Sequence, residues 1–379
     1  RNNFLDATPT ASPNKKLFLF PRYPLKMKKN NNKTKVVVAI SGGVDSSVAA
    51  VLLKRADFDV VGVFMKFWKE GKTGENRCCS TESEKLARLV AKKIDIPFYV
   101  INCEKEFKKE VVDYFLREYK KGNTPNPCVV CNKEIKFGFL IERALKIGAD
   151  FIATGHYAII KNGKLLKSRD KEKDQSYFLW QLNQKQLSRI LFPVGGYTKT
   201  EIRKLAKKFR LPTAKTQESQ EICFVPATIN DFLKKYLKTK PGDIVDKKGN
   251  ILGKHQGLYF YTIGQRKGLG VNQGPYYVVG KALKKNILIV SKNEKDLLGK
   301  ELIAKNVNWI SGKQVKLPLK IKAKIRYKHE SADAVIKNFE KGKTKVIFAK
   351  PQKAITPGQS VVFYKNQELL GGAIIDRIF

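Results

Sequence analysis

The stretch that most constrains the fold is SGGVDSS, at residues 41–47. It follows an apolar run, Val36 to Ile40, and precedes Val48 to Arg55, where apolar residues recur at helical spacing. A strand, a turn with two glycines and a helix start bring backbone N–H groups and the positive end of a helix dipole together. The stretch therefore predicts a loop that binds phosphate.

This loop differs from the GxxxxGK[ST] phosphate loop of many nucleotide hydrolases and kinases, because residues 41–47 contain no lysine. We therefore expect phosphate to be held by backbone donors, with no lysine in reach of a terminal phosphate.

Strand and helix patterns alternate after the loop. Apolar runs predict strands at 59–66, 97–102 and 150–154, and helical spacing predicts helices at 82–94 and 136–147. Such alternation predicts an α/β fold with a parallel sheet, whose ligands bind at the carboxyl ends of the strands. The 41–47 loop and Gly155-His156 both follow predicted strands, so we expect them to share one edge of the sheet.

The pattern changes near residue 225. Before it, Thr198 and Glu201 form the capping box of a further helix. After it, segments 240–253 and 255–270 carry the glycines and prolines of β-hairpins, and alternating strands continue to the end. We predict four regions: a disordered extension (1–34), the α/β domain (35–225), a small central domain (226–290) and a β-barrel (291–379).

The chain is strongly basic, with a formal charge of +41 and a pI near 9.9. This charge favours a polyanionic partner such as nucleic acid, although biased codon usage also produces Lys-rich chains. Residues 302–328 hold eight basic residues and no acidic one. From Leu319 to Lys328 these alternate with mostly apolar residues, which predicts a strand with a basic outer face; a merely solvated lysine face is the alternative.

Composition also bears on the compartment. No run of about 18 apolar residues occurs, so we expect no membrane span. Six cysteines in a long chain without a secretory signal favour a reducing cytoplasm. The first 26 residues are basic with Asp6 as their only acid, which leaves a mitochondrial transit peptide as the alternative.

Cysteine spacing indicates sulfur chemistry. Cys128 and Cys131 form a C-x-x-C in a Pro-rich loop just before the predicted helix, where partial positive charge would favour the thiolate, and Cys223 follows the capped helix. A structural zinc would need four ligands, but a second C-x-x-C is missing and the three histidines are scattered. The cysteines at 78, 79 and 103 fit packing positions.

Eight separated motifs then fall in an order that resembles the tRNA-specific 2-thiouridylases of bacteria and mitochondria. The resemblance runs from about residue 35 to the C-terminus and rests on SGGVDSS, FMKFW, TPNPCVVCNKEIKFG, ATGHYA, DQSYFLW, FPVGGYTKTEIRKLA, ESQEICFV and YTIGQRKGLG. It implies a PP-loop ATP pyrophosphatase domain of the adenine-nucleotide α-hydrolase type, a small central domain and a C-terminal barrel.

The resemblance also implies a reaction: ATP, with Mg²⁺, adenylates the C2 oxygen of wobble uridine U34 in tRNAs for Lys, Glu and Gln, and a sulfur nucleophile then displaces AMP. The implied partner besides tRNA is a cysteine desulfurase or a sulfur-relay protein. Cys131 is the implied nucleophile and Cys223 the persulfide carrier. The implied ATP-binding residues are Ala39, Ile40, Ser41, Gly42, Gly43, Val44, Asp45, Ser46, Met65 and Gly155. The implied tRNA-binding residues are Thr124, Pro125, Asn126, Pro127, His156, Lys173, Asp174, Gln175, Arg326, Tyr327 and Gln359.

One position departs from the family pattern: Cys128 stands where many members carry an Asp that has been assigned as general base, so that role does not carry over. Two sulfur routes stay open. In one, Cys223 receives a persulfide and Cys131 helps to release its sulfur; in the other, Cys128, Cys131 and Cys223 hold an iron–sulfur cluster. A different PP-loop ligase and a basic RNA-binding protein with a vestigial nucleotide fold are the alternative functions, and neither needs thiols.

Overall fold

The computed structural model describes residues 33–71, 76, 79–217, 222–272 and 274–379 of the 379-residue chain. The predictions for the N-terminal extension therefore fall almost entirely outside the described residues, as does Cys78. The described chain forms an α/β domain, a small sheet domain and a β-barrel. The predicted fold class is confirmed.

The first domain is built on a parallel sheet. The strands of the sheet are β1 (Lys35–Ala39), β2 (Asp59–Lys66), β3 (Phe98–Asn102), β4 (Phe151–Ala153) and β7 (Ile190–Leu191). A short hairpin between β4 and β7 consists of β5 (Ala158–Lys161) and β6 (Lys164–Lys167). The five-stranded sheet has the order β3-β2-β1-β4-β7 with every pairing parallel. Val36, Val37 and Val38 of the central strand are at most 1% exposed, because helices cover both faces.

Helices follow the strands as the alternation predicts. They are α1 (Val44–Arg55), α2 (Thr81–Lys93), α3 (Glu104–Phe107), α4 (Asp113–Lys120), α5 (Pro127–Val130), α6 (Leu140–Lys146), α7 (Gln184–Leu187) and α8 (Lys199–Lys208). Lys108–Val112 and Cys131–Phe139 are π-helical and join α3 to α4 and α5 to α6, and Ser176–Leu179 is a 3₁₀ turn. The capping box that starts α8 is confirmed: Thr198 accepts from Glu201 N, and Glu201 accepts from Thr198 N.

The helix at the C-x-x-C begins earlier than the sequence predicts. Helical backbone runs from Pro127 through the π segment to Lys146, whereas the prediction started it at residue 136. Proline at the first helical position is pre-set for the helix, since its φ is fixed and its missing N–H would have no partner there. Cys128 and Cys131 therefore lie within the helix and not in a loop before it.

The second region contains α9 (Ile229–Tyr236) and a four-stranded mixed sheet. Its strands are β8 (Gly242–Val245), β9 (Ile251–His255), β10 (Tyr277–Ala282) and β11 (Ile287–Ser291), in the order β10-β11-β8-β9. The predicted hairpin at 240–253 is confirmed as β8 and β9.

The hairpin predicted at 255–270 is wrong beyond the end of β9. Leu258–Phe260 is a 3₁₀ turn, and Leu258, Phe260 and Tyr261 are all at most 6% exposed. Two of these buried residues are adjacent in sequence, which a half-exposed strand with a two-residue repeat does not allow. The segment packs instead beside β10, where Gly264 N donates to Val278 O.

The third region is an antiparallel barrel, as predicted. Its strands are β12 (Leu298–Trp309), β13 (Leu319–Lys324), β14 (Ala332–Asn338), β15 (Thr344–Lys353), β16 (Ser360–Lys365) and β17 (Glu368–Ile378). They follow the order β12-β15-β14-β13-β16-β17, and pairing of β12 with β17 closes the barrel. Short 3₁₀ turns at Glu294–Leu297 and Glu340–Gly342 precede β12 and β15.

The first domain and the barrel share a sheet. The β5–β6 hairpin extends the barrel sheet, with Leu165 and Leu166 pairing with Leu369 and Glu368 of β17. The 3₁₀ turn after it also binds the barrel, since Tyr177 OH donates to Ser360 O (3.0 Å) and Trp180 Nε1 donates to Ser360 Oγ (2.9 Å). The sequence analysis did not predict this joint.

The predicted basic face of the barrel is confirmed only in part. On β13, Ile321 and Ala323 are buried while Lys320 and Lys322 are exposed, as the alternation predicts. However, Lys322 pairs with Asp333 of the neighbouring strand at 2.9 Å, so the face is not of one sign. Arg326 lies beyond the end of β13 and is half-buried, with its guanidinium donating to Ala354 O and to Thr356 Oγ1.

In the described part of the chain, no helix has both the length and the apolar content needed to cross a membrane.

Candidate functional site

The phosphate-binding candidate lies where β1 runs into α1. Gly43 is the N-cap of α1, and no side chain in the described part of the chain caps this helix end. Of the atoms in the described residues, only Ser41 Oγ would lie within 4 Å of a Cβ atom at Gly43, at 3.6 Å, so the space in front of the helix is open to them. Uncapped N–H groups facing open space fit an anion such as the phosphate chain of ATP.

Serines hold the loop in shape. Ser41 N donates to Ser46 Oγ (3.2 Å), and the Ser46 and Ser47 hydroxyls donate to Gly43 O (3.1 and 2.8 Å). Gly42 has φ +77°, and a Cβ atom there would lie 2.3 Å from Ser83 O of α2. Glycine is required at this position both by the left-handed backbone and by the contact with α2.

The carboxylate of Asp45 has a lysine partner from outside the 41–47 motif. Lys199 Nζ lies 2.8 and 2.7 Å from the two Asp45 carboxylate oxygens, and Tyr157 OH donates to Oδ1 at 2.7 Å. Lys199 is the first residue of α8, and its N–H donates to the Asp170 carboxylate. The capping box at Thr198 marked this helix start, but the sequence does not show that the helix points at the loop.

Further predicted ATP-binding residues line the same sheet edge. Gly155 follows β4, and a Cβ atom there would lie 2.5 Å from Ser46 N, so the end of β4 touches the start of α1. Met65, near the end of β2, is buried, and Ala39 ends β1. Ile40 and Val44 are buried on either side of the loop. The carboxyl ends of the parallel strands thus meet the loop, and the individual ATP contacts stay predictions.

Two of the three predicted reactive thiols sit one helical turn apart. Cys128 is exposed, whereas Cys131 is 7% exposed and packs in the core of the first domain with Ile135 and Phe137. Residues three apart on a helix share a face. Cys223 is half-buried and packs against the same core cluster.

These thiols do not form a metal centre in the described structure. Among residues 33–71, 76, 79–217, 222–272 and 274–379, no three His, Cys, Asp or Glu side chains are grouped so that they could hold a metal ion. An iron–sulfur cluster on the three cysteines therefore does not fit the observed geometry. Mg²⁺ commonly binds through substrate phosphates and one or two carboxylates, so here it would enter with ATP beside Asp45.

Cys103 adjoins this site, although the sequence analysis treated it as a packing residue. It lies at the end of β3 and is fully buried. Burial raises the pKa of its thiol to about 12, and the nearby Glu106, Cys131 and Cys79 add to the rise. Cys103 is thus a neutral thiol near Cys131, which agrees with a packing role.

The predicted tRNA-binding residues fall into two groups. The first surrounds the helical segment from Pro127 to Lys146 that carries Cys128 and Cys131, which we call the thiol helix. Thr124 to Pro127 form the approach to this helix, and Gln359 of the barrel donates to Thr124 O (2.8 Å) and Pro125 O (3.3 Å). Tyr327 packs on Phe178 at a tilt of 44°, with ring centroids 4.5 Å apart. The amide of Gln359 is thus used at least in part within the protein.

The second group consists of Lys173, Asp174, Gln175 and His156. Its side chains are more buried than those of a typical RNA contact surface. Asp174 accepts from Ser168 N and from the Ser176 hydroxyl, and Gln175 exchanges hydrogen bonds with the Tyr157 backbone. Lys173 is half-buried. His156 is 9% exposed, lies between Phe137 and Phe192, and bonds Thr154 Oγ1 through Nδ1 at 2.8 Å. Burial, with a smaller effect of Lys136, holds the pKa of His156 well below its ordinary value. Direct tRNA contact by this group stays a prediction.

The family models match nearly the whole chain. The tRNA methyl transferase HUP domain matches residues 34–227, the tRNA methyl transferase PRC-barrel domain matches 230–292, and the aminomethyltransferase β-barrel domain matches 299–375. The fold and the phosphate loop define a nucleotide-binding HUP domain followed by two β domains.

Curated relatives identify the family. The tRNA-specific 2-thiouridylase MnmA of Clostridium perfringens is 47% identical over 360 residues, covering 91% of this chain and 99% of the relative. The tRNA-specific 2-thiouridylase MnmA 2 of Clostridium tetani is 50% identical over 358 residues, with the same coverage of 91% and 99%. The chain belongs to the tRNA-specific 2-thiouridylase MnmA family, as the sequence motifs indicated.

A solved 4-thiouridine synthetase–RNA complex with bound ATP is a distant structural match. It has 17% identity and a TM-score of 0.35, and covers 53% of this chain and 50% of that chain. A score this low supports no conclusion about this chain.

Proposed function

We propose that the protein uses ATP to replace the C2 oxygen of wobble uridine U34 with sulfur in tRNAs for Lys, Glu and Gln. The observation that carries the proposal is membership of the MnmA family at 47–50% identity over 91% of the chain. The phosphate-binding loop and the C-x-x-C helix, both present in the described structure, are consistent with it.

The phosphate loop would serve the first step. The uridine C2 oxygen attacks the α-phosphorus of ATP, the bond to pyrophosphate breaks, and AMP is left on C2. Backbone donors at the start of α1 would hold the phosphates, and Lys199, which pairs with Asp45, would move toward the departing pyrophosphate. Asp45 would then orient the cation that accompanies ATP.

The thiols would serve the second step. The terminal sulfur of a Cys223 persulfide attacks C2 and AMP leaves with the former C2 oxygen. The Cys131 thiolate then attacks Cys223 Sγ, which frees the 2-thiouridine and leaves a Cys131–Cys223 disulfide. An external thiol must reduce this disulfide before the next turnover. The assignment of these two roles rests on the family resemblance, with Cys131 buried in the first domain and Cys223 half-buried.

A cysteine desulfurase or sulfur-relay protein would supply the persulfide to Cys223, which is half-buried. The positive charge of the chain, +41 overall, favours tRNA as the polyanionic substrate. U34 is single-stranded in the anticodon loop, so little unpairing energy is needed to bring it to the thiols.

The test is reconstitution with purified protein, ATP, Mg²⁺, a persulfide donor and anticodon stem-loop substrates. Nucleoside mass spectrometry should find 2-thiouridine at position 34, with AMP and pyrophosphate released in equal amounts. A matched substrate with cytidine at position 34 is the control. Pyrophosphate release without 2-thiouridine, with all three tRNAs, would contradict the proposal and favour another PP-loop ligase.

A further inference from the structure

The loop that leads into the thiol helix is held both by its own domain, where the Asn123 side chain donates to Glu118, and by distant segments of the chain. Gly122 N donates to Tyr119 O, and Asn123 N donates to Glu118 O. These two hydrogen bonds form the turn at the end of α4. In the next four residues, Thr124 to Pro127, two prolines lack an N–H, so this stretch can form little local backbone structure. Its conformation therefore depends on residues from elsewhere in the chain.

The central sheet domain contacts this loop at two points. Lys281 Nζ, on β10, donates to Gly122 O at 2.9 Å, and the hydroxyl oxygens of Thr262 and Thr124 lie 3.1 Å apart. Leu283 packs on Gly122 so closely that a Cβ atom there would lie 2.5 Å from Leu283 Cδ2. These contacts span the turn immediately before the thiol helix.

The barrel holds the opposite side of the loop. Thr124 N donates to Pro357 O at 2.9 Å, and Gln359 Nε2 donates to Thr124 O at 2.8 Å. A Cβ atom at Gly358 would lie 2.8 Å from Asn123 Cβ, so the two backbones touch. Thr124 is thus bonded to both β domains, and the start of the thiol helix is fixed by parts of the chain more than 130 residues away.

Lys281 is an unfavourable residue for stability alone. Among the described residues, its ammonium group has Gly122 O as its one hydrogen-bond acceptor. Burial lowers the pKa of Lys281 to about 8. Lys281 is partly exposed and its acceptor is a loop carbonyl, so this bond adds little net stability by itself and its contribution must be sought in what it holds.

We propose that Thr262 and Lys281 are positioning residues through which the central domain fixes the Thr124–Pro127 loop and thereby the direction of Cys131. The inference rests on the proposed function for the role of Cys131 in sulfur transfer, but the contacts themselves do not. Lys281 holds the turn where α4 ends, and Thr262 holds the side chain of Thr124, three residues before the first helical residue.

The test compares Lys281→Met and Thr262→Val with matched controls in the full-length protein. Lys284→Met removes an exposed lysine from the same hairpin, and Thr262→Ser keeps the hydroxyl. The first measurement is the rate at which iodoacetamide labels Cys131, followed by peptide mass spectrometry. We expect Lys281→Met and Thr262→Val to speed labelling severalfold without lowering the melting temperature, and both controls to label as the parent protein does.

The second measurement is steady-state thiolation. A misplaced nucleophile lowers kcat, so we expect a loss of about 10-fold to 100-fold in kcat with little change in KM for ATP. Unchanged Cys131 labelling in both variants overturns the inference, as does equal acceleration by Lys284→Met. Should the parent protein fail to thiolate tRNA, the proposed function fails while the labelling result still decides the inference.

Discussion

Lys199 and Asp45 are 154 residues apart in the sequence, yet the Lys199 ammonium lies 2.7–2.8 Å from both oxygens of the Asp45 carboxylate. The Lys199 side chain is only 12% exposed, and the Asp45 side chain is 28% exposed. The pair lies where phosphate would bind at the start of α1. It gives the phosphate loop the lysine that its own motif lacks.

We expect Asp45→Ala and Lys199→Met each to lower ATP-dependent pyrophosphate release by about 10²-fold or more, as is typical when a preorganised electrostatic group is removed. Binding of tRNA should stay nearly unchanged, since the basic surface is intact. Lys204→Met, an exposed change on the same helix, is the control. A collapse of tRNA affinity in the Asp45 variant, measured by filter binding, would show that this loop is not mainly a phosphate site.

Substitution of the thiols should separate the two chemical steps. Cys131→Ser and Cys223→Ser should abolish 2-thiouridine formation while tRNA-dependent pyrophosphate release continues, because adenylation needs no thiol. Cys128→Ser, one helical turn before Cys131 and exposed, should slow thiolation only modestly. Anaerobically purified protein should carry no stoichiometric iron; a visible band near 400 nm that Cys128→Ser removes would instead favour the cluster route.

The barrel face offers a salt-dependence test. Lys320→Gln with Lys322→Gln should weaken tRNA binding and lower the slope of log K against log salt by about one unit per lost phosphate contact. We expect less than two units, because Lys322 already pairs with Asp333. Arg326 is left unchanged, since its bonds to Ala354 and Thr356 hold the barrel together. Lys92→Gln with Lys93→Gln on α2 provides the matched charge change, and an equal slope in both pairs would mean that β13 makes no phosphate contact.

Lys281 should make the free energy of unfolding depend on pH above neutrality. Burial lowers the pKa of Lys281 to about 8 in the folded protein, whereas an unfolded lysine titrates near 10.4. Between these values the unfolded chain binds more protons, so the free energy of unfolding gains a term that rises with pH. Urea denaturation from pH 7.5 to 10 should show that Lys281→Met lacks this rise. A parallel dependence in the variant would mean that Lys281 is not desolvated.

His156 should make the free energy of unfolding depend on pH in the acidic range. Because burial holds the pKa of His156 well below its ordinary value, the folded protein keeps the ring neutral while the unfolded chain takes up a proton below about pH 6.5. Stability should fall as pH drops from 6.5 to 5, and less so in His156→Gln. Titration of the ring followed by NMR should show no midpoint in that window, and a midpoint near 6.5 would refute the buried, neutral assignment.

Local features of this protein could be predicted from the sequence because neighbouring residues encode them. The apolar run from Val36 led to a buried central strand, the segment 59–66 is β2, and the box of Thr198 and Glu201 starts α8. Alternation of Ile321 and Ala323 with lysines correctly set the two faces of β13. Hydrogen bonds within a few residues and a two- or 3.6-residue repeat are enough to specify such features.

The partners of the site were decided by tertiary structure. Nothing near Lys199 in the sequence shows that α8 points at Asp45, and nothing near Lys322 shows that Asp333 lies beside it. The loop at Thr124 takes its shape from Thr262 and from Gln359, because its prolines remove local hydrogen bonds. Periodicity states which face of an element is buried, but not which distant element covers it, so these contacts follow only from the packing of the three domains.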